Sequence, residues 1–183
     1  MVRAFRHAGA GVVALSLLPC TSTTTGAATA PCVDKPRPTS TSPGDTPPLF
    51  TLTTTPNGWE THIDLGPQLV VYADFQAVST PGAVGPGGNP STPPEKFDGY
   101  LPSCIVEQAI ADTEALATTD FGDPGITDQG GQTIDYTPTP PSDPVKLYIY
   151  APGFDEYITA EQSAARDRFE ALHTLLVGGF VPN

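Results

Sequence analysis

The sequence predicts an α+β domain, a mostly antiparallel sheet with two helices packed on one face. Three observations predict it: short segments that alternate apolar and polar residues, two segments with apolar residues at helical spacing, and their order, βββαββα. Of 183 residues, 22 are Pro and 18 are Gly, while 38% are hydrophobic and 15% charged. That balance fits one modest domain with much loop, at residues 49–183, and leaves no room for two.

The first strand is read at residues 49–55, β-rich through Leu49, Phe50 and Leu52, and the turn signal Pro56-Asn57-Gly58 follows it. Residues 59–65 alternate, with Trp59, Thr61, Ile63 and Leu65 on one side and Glu60, His62 and Asp64 on the other. After Gly66-Pro67 a third strand is read from Gln68 to Val78, completing a meander. Residues 79–94 hold nine Pro or Gly in sixteen and are read as a long loop.

Ser103 is the expected N-cap of a helix from Cys104 to about Ala117, with Val106, Ala109, Ile110, Thr113 and Ala117 on its stripe. Residues 120–131 are turn-rich, and strands follow at 132–137 and 145–151. Thr159 with Gln162 gives a capping-box pattern for a second helix. Its stripe is Ala165, Phe169, Leu172 and Leu176, with Arg166 and Arg168 placed off it and Gly178-Gly179 ending it.

Ahead of the domain, residues 1–19 have the layout of a signal peptide: Arg3 and Arg6, then an uncharged run from Ala8 to Leu18. That run is too short to span a bilayer, which takes roughly 20 apolar residues. Leu17-Leu18-Pro19-Cys20 looks like a lipobox, so acylation is expected at Cys20, with cleavage in the Thr25 to Ala30 stretch and free secretion as the alternative. Residues 20–48 form a tether: from Thr21 to Pro48, 19 of 28 residues are Thr, Ser, Pro or Gly, too little apolar surface to fold. Acylating Cys20 would leave Cys32 and Cys104 to pair as a disulfide outside the cytosol.

Twenty acids against eight bases give a net charge of −12, which disfavours nucleic acid and anionic lipid surfaces as partners. No cofactor motif is found, and neither a nucleophile elbow nor a phosphate loop occurs. Asp120, Asp123 and Asp128 are weak calcium candidates, because their spacing of three and five lacks the closing Glu of a calcium loop; turn-starting aspartates explain them more simply. Glu60, His62 and Asp64 share a strand face and read as a solvated face before a site, and His173 reads as a surface residue. Asp155, Glu156 and Glu161 crowd the start of the last helix, where negative charge is stabilised anyway. Tyr72, Tyr100, Tyr148, Tyr150 and Tyr157 are candidates for lining a ligand groove.

Four segments carry a resemblance: Pro67 to Asp74, Phe121 to Asp128, Leu147 to Gly153 and Thr159 to Arg166. Together they resemble a family of uncharacterised exported proteins and lipoproteins of high-GC Gram-positive bacteria, whose domains carry a "YGDGR" hairpin, a "YGDPGVTD" turn, a "VYALG" strand and an "LTPEQRAAR" helix. Here Asp74-Phe75-Gln76 replaces the glycine-bearing hairpin turn. The resemblance implies export and one compact domain, and it carries no catalytic residues. The sequence therefore predicts an exported, lipid-anchored envelope protein that binds a protein or glycan without catalysis and meets the membrane only through its N-terminal lipid. A carboxylate hydrolase acting on envelope material and a calcium-ordered binding module are the alternatives.

Overall fold

In the computed structural model the described residues are 47–57, 66–84, 93–140 and 142–183. The predicted signal peptide, Cys20, the tether through residue 46 with Cys32, and the alternating segment 59–65 with Glu60, His62 and Asp64 lie outside them.

Among the described residues seven strands form one sheet: β1 (Pro48–Thr55), β2 (Leu69–Tyr72), β3 (Gln76–Ser79), β4 (Phe97–Tyr100), β5 (Gly131–Tyr136), β6 (Val145–Tyr150) and β7 (Val181–Pro182). Their order is β6-β5-β1-β2-β3-β4-β7, and every neighbouring pair is antiparallel. Helices α1 (Ser103–Leu116) and α2 (Ala160–Gly178) complete the α+β fold that the sequence predicts.

Register explains which side is covered. Phe50 stands opposite Val71 and Tyr136, Leu52 opposite Leu69 and Ile134, and Ile134 opposite Leu147. Side chains two apart on a strand share a face, so these residues make one apolar face. Val106, Ala109 and Leu116 from α1 and Ala165, Phe169, Leu172 and Leu176 from α2 join them in a single buried cluster. Each fully buried Leu or Phe contributes about 1.5–3 kcal/mol. Phe50 and Tyr136 stack within that face, ring centroids 4.9 Å apart. Thr51, Thr53, Val70, Tyr72, Thr133, Tyr148 and Tyr150 alternate onto the opposite face, where Tyr148 is exposed.

Four sequence expectations need correction. Residues 68–78 are a hairpin, not one strand: Phe75 N–H donates to Tyr72 O at 2.8 Å, and Phe75 takes φ 67°. Asp74 Oδ1 accepts from Gln76 N at 3.2 Å, so the Asp side chain braces the turn. Residue 79 belongs to β3 and residues 81–84 to a 3-10 helix, so the expected loop begins later than its reading. Strands β4 and β7, absent from the sequence reading, pair with each other at the far edge. Finally, Ser103 is the first helical residue of α1 and is buried; Pro102 holds the cap position and makes no side-chain cap. Its fixed φ of −54° sets the entry, and its carbonyl accepts from Ile105 and Val106.

The capping box of α2 is formed. Thr159 Oγ1 accepts from Gln162 N at 3.2 Å, and Gln162 Oε1 accepts from Thr159 N at 2.9 Å. Gly179 is the C-cap.

Candidate functional site

Gly131, the first residue of β5, pairs with Tyr150, the last of β6, so the loop entering β5 (residues 117–130) and the loop leaving β6 (residues 151–159) emerge at one end of the sheet. Ala151 N–H donating to Gly130 O at 2.8 Å continues the ladder between them. Both loops are unusually shaped. Among the described residues, three of the four non-glycine residues at positive φ lie in them, namely Asp128 at 60°, Ala151 at 49° and Tyr157 at 63°, as do Gly122, Gly125 and Gly153. Such conformations cost free energy and persist only where the surroundings fix them.

Arg166 holds one of them, Ala151, directly and ties the start of the other loop at Phe121. It is 1% exposed, and its Nη2 donates to Tyr150 O at 2.6 Å and Ala151 O at 2.7 Å. Its Nη1 donates to Phe121 O at 3.4 Å, so one guanidinium ties both loops to α2. Among the described residues, every hydrogen bond that it makes goes to a main-chain carbonyl, and Nε is buried without a partner. Placing Arg166 off the apolar stripe is thus corrected. The buried face of α2 is wider than the stripe and takes in Arg166, covered by the loop carbonyls of Phe121 and Ala151, and, seven residues on, His173. An Arg and a His one full heptad apart, both beside the stripe, were the available signal. Phe121 adds an edge-on contact with Phe169, ring centroids 5.7 Å apart.

The clamped loops hold aromatic rings in solvent. Tyr157 is 89% exposed, and Phe154 and Tyr148 are also exposed. The Tyr157 ring lies 3.9 Å from where a Cβ on Gly125 would stand, and Gly125 N–H is held by Asp123 Oδ1 at 2.9 Å. On the neighbouring strand the Tyr148 ring covers Gly131. Burial raises the Tyr148 phenol above its ordinary range, with Tyr150 and then the Asp123 charge adding to it.

The calcium candidates do not converge. Asp120 Oδ1 accepts from Gly122 N at 2.9 Å and its Oδ2 from Gln162 Nε2 at 2.8 Å; these two bonds, the first the larger, lower its pKa. Asp123 serves the turn at Gly125, and Asp128 Oδ2 faces Thr127 Oγ1 at 3.5 Å. Asp120 and Asp123 take the turn-starting roles read from the sequence, whereas Asp128 meets only a neighbouring side chain. Among the described residues no group of three or more His, Cys, Asp or Glu side chains is placed to hold a metal.

The remaining candidates scatter. His173, expected on the surface, is 8% exposed; burial lowers its pKa, and its Nε2 has no partner. It borders a concavity of about 310 Å³ with Gln132 and Glu170, whose Oε1 accepts from Gly153 N at 3.2 Å. Tyr150 Oη accepts from Gln129 N at 3.0 Å, and Tyr72 borders a separate concavity of about 540 Å³ with Val70 and Val78, so the tyrosines do not line one groove. Asp155 accepts from Ser163 Oγ at 3.2 Å. Cys104, near the start of α1, is disulfide-bonded, and the chain's other cysteines, Cys20 and Cys32, lie outside the described residues. Among the described residues no helix is long and apolar enough to cross a membrane.

Comparison with protein-family models, with curated proteins and with solved structures finds no match to this chain.

Proposed function

We propose that this protein is an exported binding domain of the cell envelope, acylated at Cys20, held on a Pro/Thr tether and active by recognition instead of catalysis. The observation that supports it most is a pair of loops in costly conformations, tied to α2 by Arg166 at Phe121 and Ala151, in which Tyr157 is left 89% exposed. A preorganised display of aromatic rings is what a recognition surface needs, since the ordering cost is met before the partner arrives. The resemblance to exported proteins and lipoproteins of high-GC Gram-positive bacteria sets the place of action. In this reading Cys32 pairs with Cys104 and fastens the tether to α1.

The test has two parts. Intact mass of the full chain expressed in such a bacterium reads the anchor: a diacylglyceryl mass on Cys20 and a two-proton gain on reduction are expected. A soluble product without lipid overturns the anchor. Retention of the purified protein by envelope fractions reads the surface. Retention that falls in the double variant Tyr148→Ala, Tyr157→Ala and survives in Phe97→Ala is expected. Equal retention by all three, or none by the unmodified protein, overturns the reading.

A further inference from the structure

We propose a second site, apart from the exposed rings: the concavity bordered by α2, the start of β5 and the loop leaving β6 receives one neutral sugar residue of a glycan. Glu170, His173 and Thr174 line it from α2, at i, i+3 and i+4, and Gln132 lines it from β5. Gln132 is two residues before Ile134, so it lies on the helix-covered face of the sheet, at the end where Pro152 and Gly153 complete the lining. The observation that calls for a ligand is His173. Its side chain is 8% exposed, it borders the concavity, and its Nε2 is buried with no hydrogen-bond partner among the described residues. A buried polar atom left unmade costs free energy, and the concavity is the opening through which a partner can reach this ring.

The lining selects the chemistry. Glu170 gives Oε1 to Gly153 N at 3.2 Å and has Oε2 to accept from a second donor. The Gln132 amide and the Thr174 hydroxyl each donate and accept. The imidazole, whose neutral form burial favours, donates from one nitrogen and accepts at the other. So mixed a set fits hydroxyl groups, which also do both. An ammonium group only donates, and it would leave the amide and imidazole N–H groups without acceptors. A phosphate or carboxylate only accepts, and it would meet the Glu170 charge with no Lys or Arg in the lining. A metal ion would find one carboxylate and one imidazole, and no larger group of such ligands is placed to hold one among the described residues. At about 310 Å³ the concavity stands at the small end of ligand sites, roughly 300–1,000 Å³, which suits a single sugar ring. Pro152 offers apolar contact to the C–H face of such a ring.

The experiment titrates the full chain with glucose, mannose, galactose, arabinose and N-acetylglucosamine in turn, following the His173 ring signals by NMR, assigned by their loss in His173→Gln. Each sugar is taken to about 100 mM, because so small a ligand binds in the millimolar range. A saturable shift with at least one sugar is expected. Gln132→Ala, Thr174→Ala and Glu170→Gln should each weaken it about fivefold or more, the worth of one net hydrogen bond. Gln132 and Thr174 lie outside the buried core cluster, so their variants test the site in a folded protein. No saturable shift with any sugar, or a shift that all three variants leave unchanged, overturns the proposal. Methylammonium, inorganic phosphate and Zn²⁺ are parallel probes, and saturation by one of them without any sugar response refutes the sugar in favour of that chemistry. The double variant Tyr148→Ala, Tyr157→Ala should keep the sugar affinity; its loss would assign the sugar to the exposed rings and overturn the second site. Envelope retention that fails while the His173 shift persists would strike the display of rings and leave this site standing.

Discussion

Gln162 Nε2 donates to Asp120 Oδ2 at 2.8 Å across 42 residues of sequence, while the same amide's Oε1 accepts from Thr159 N. One side chain therefore closes the cap of α2 and holds the loop that carries Asp123. Gln162→Ala removes both functions, and the loss of the cap alone should cost about 0.5–2 kcal/mol in urea unfolding. Gln162→Glu keeps the box but sets a carboxylate against Asp120. Its deficit should appear at neutral pH and shrink as the pH falls and the carboxylates protonate. Asp120 works in the opposite direction in the unmodified protein. Its pKa is lowered on folding, so its contribution is present above the ordinary carboxylate value and fades as the pH drops through the folded one.

Arg166→Met leaves the carbonyls of Phe121, Tyr150 and Ala151 without their donor. The expected net loss is about 2–4 kcal/mol, since buried acceptors left unmade cost more than a hydrogen bond gains, partly offset by removing a buried charge. Arg166→Lys keeps the charge but reaches fewer carbonyls, because an ammonium lacks the planar fork. It should fall between the two. Limited proteolysis gives the local readout, with cleavage rising within residues 151–159 in both variants. An unchanged unfolding midpoint in Arg166→Met would show that the loops are held by other contacts.

Gly130→Ala tests the seam where β1 meets the entry to β5. A Cβ there would fall on the carbonyl oxygen of Thr55, a main-chain atom held in the ladder, and Gly130 N–H is also committed to Asn57 Oδ1 at 3.0 Å. Overpacking of this kind typically costs about 1–3 kcal/mol. Gly66→Ala, with open space around its Cβ and a φ of 67°, is the comparison, because there only backbone strain opposes the change. Gly130→Ala should unfold at the lower temperature of the two.

His173 gives the protein an acid-sensitive core. Burial lowers its folded pKa, so the neutral ring is favoured on folding, and stability is complete above the unfolded value of about 6.5. It declines as the pH falls from there toward the folded pKa, because the unfolded chain then binds the extra proton. His173→Gln should flatten the stability curve across that window while leaving the alkaline side unchanged. A ring titration by NMR at or above the ordinary imidazole value would contradict the assignment.

What the sequence disclosed depended on whether the signal was local. The capping box of Thr159 and Gln162 is written within four residues, and it formed as read. Alternation in residues 145–151 gave β6 directly. Phe75 concealed the β2–β3 hairpin, because a phenylalanine at φ 67° carries no turn signal. β4 is four residues long, is interrupted by Gly99 and becomes a strand only through β3 and β7. The loop pair was harder still. Tyr157 and Gly125 were each visible as letters, but the meeting of the two loops follows from the pairing of Gly131 with Tyr150 and from Arg166, whose burial depends on loops 45 and 15 residues earlier in the chain.

The central position of β1 has a mechanical meaning. Pro48 opens a strand flanked by β2 on one side and β5 on the other, with four strands continuing beyond those neighbours toward the two edges. A pull arriving through the residues before Pro48 runs along that strand. It loads both hydrogen-bond ladders in shear, so many bonds must yield together; an edge strand pulled sideways would unzip one bond at a time. If the preceding segment is anchored, drag on whatever the domain has captured is borne by the middle of the sheet, and the grip should outlast forces that would peel a peripheral attachment.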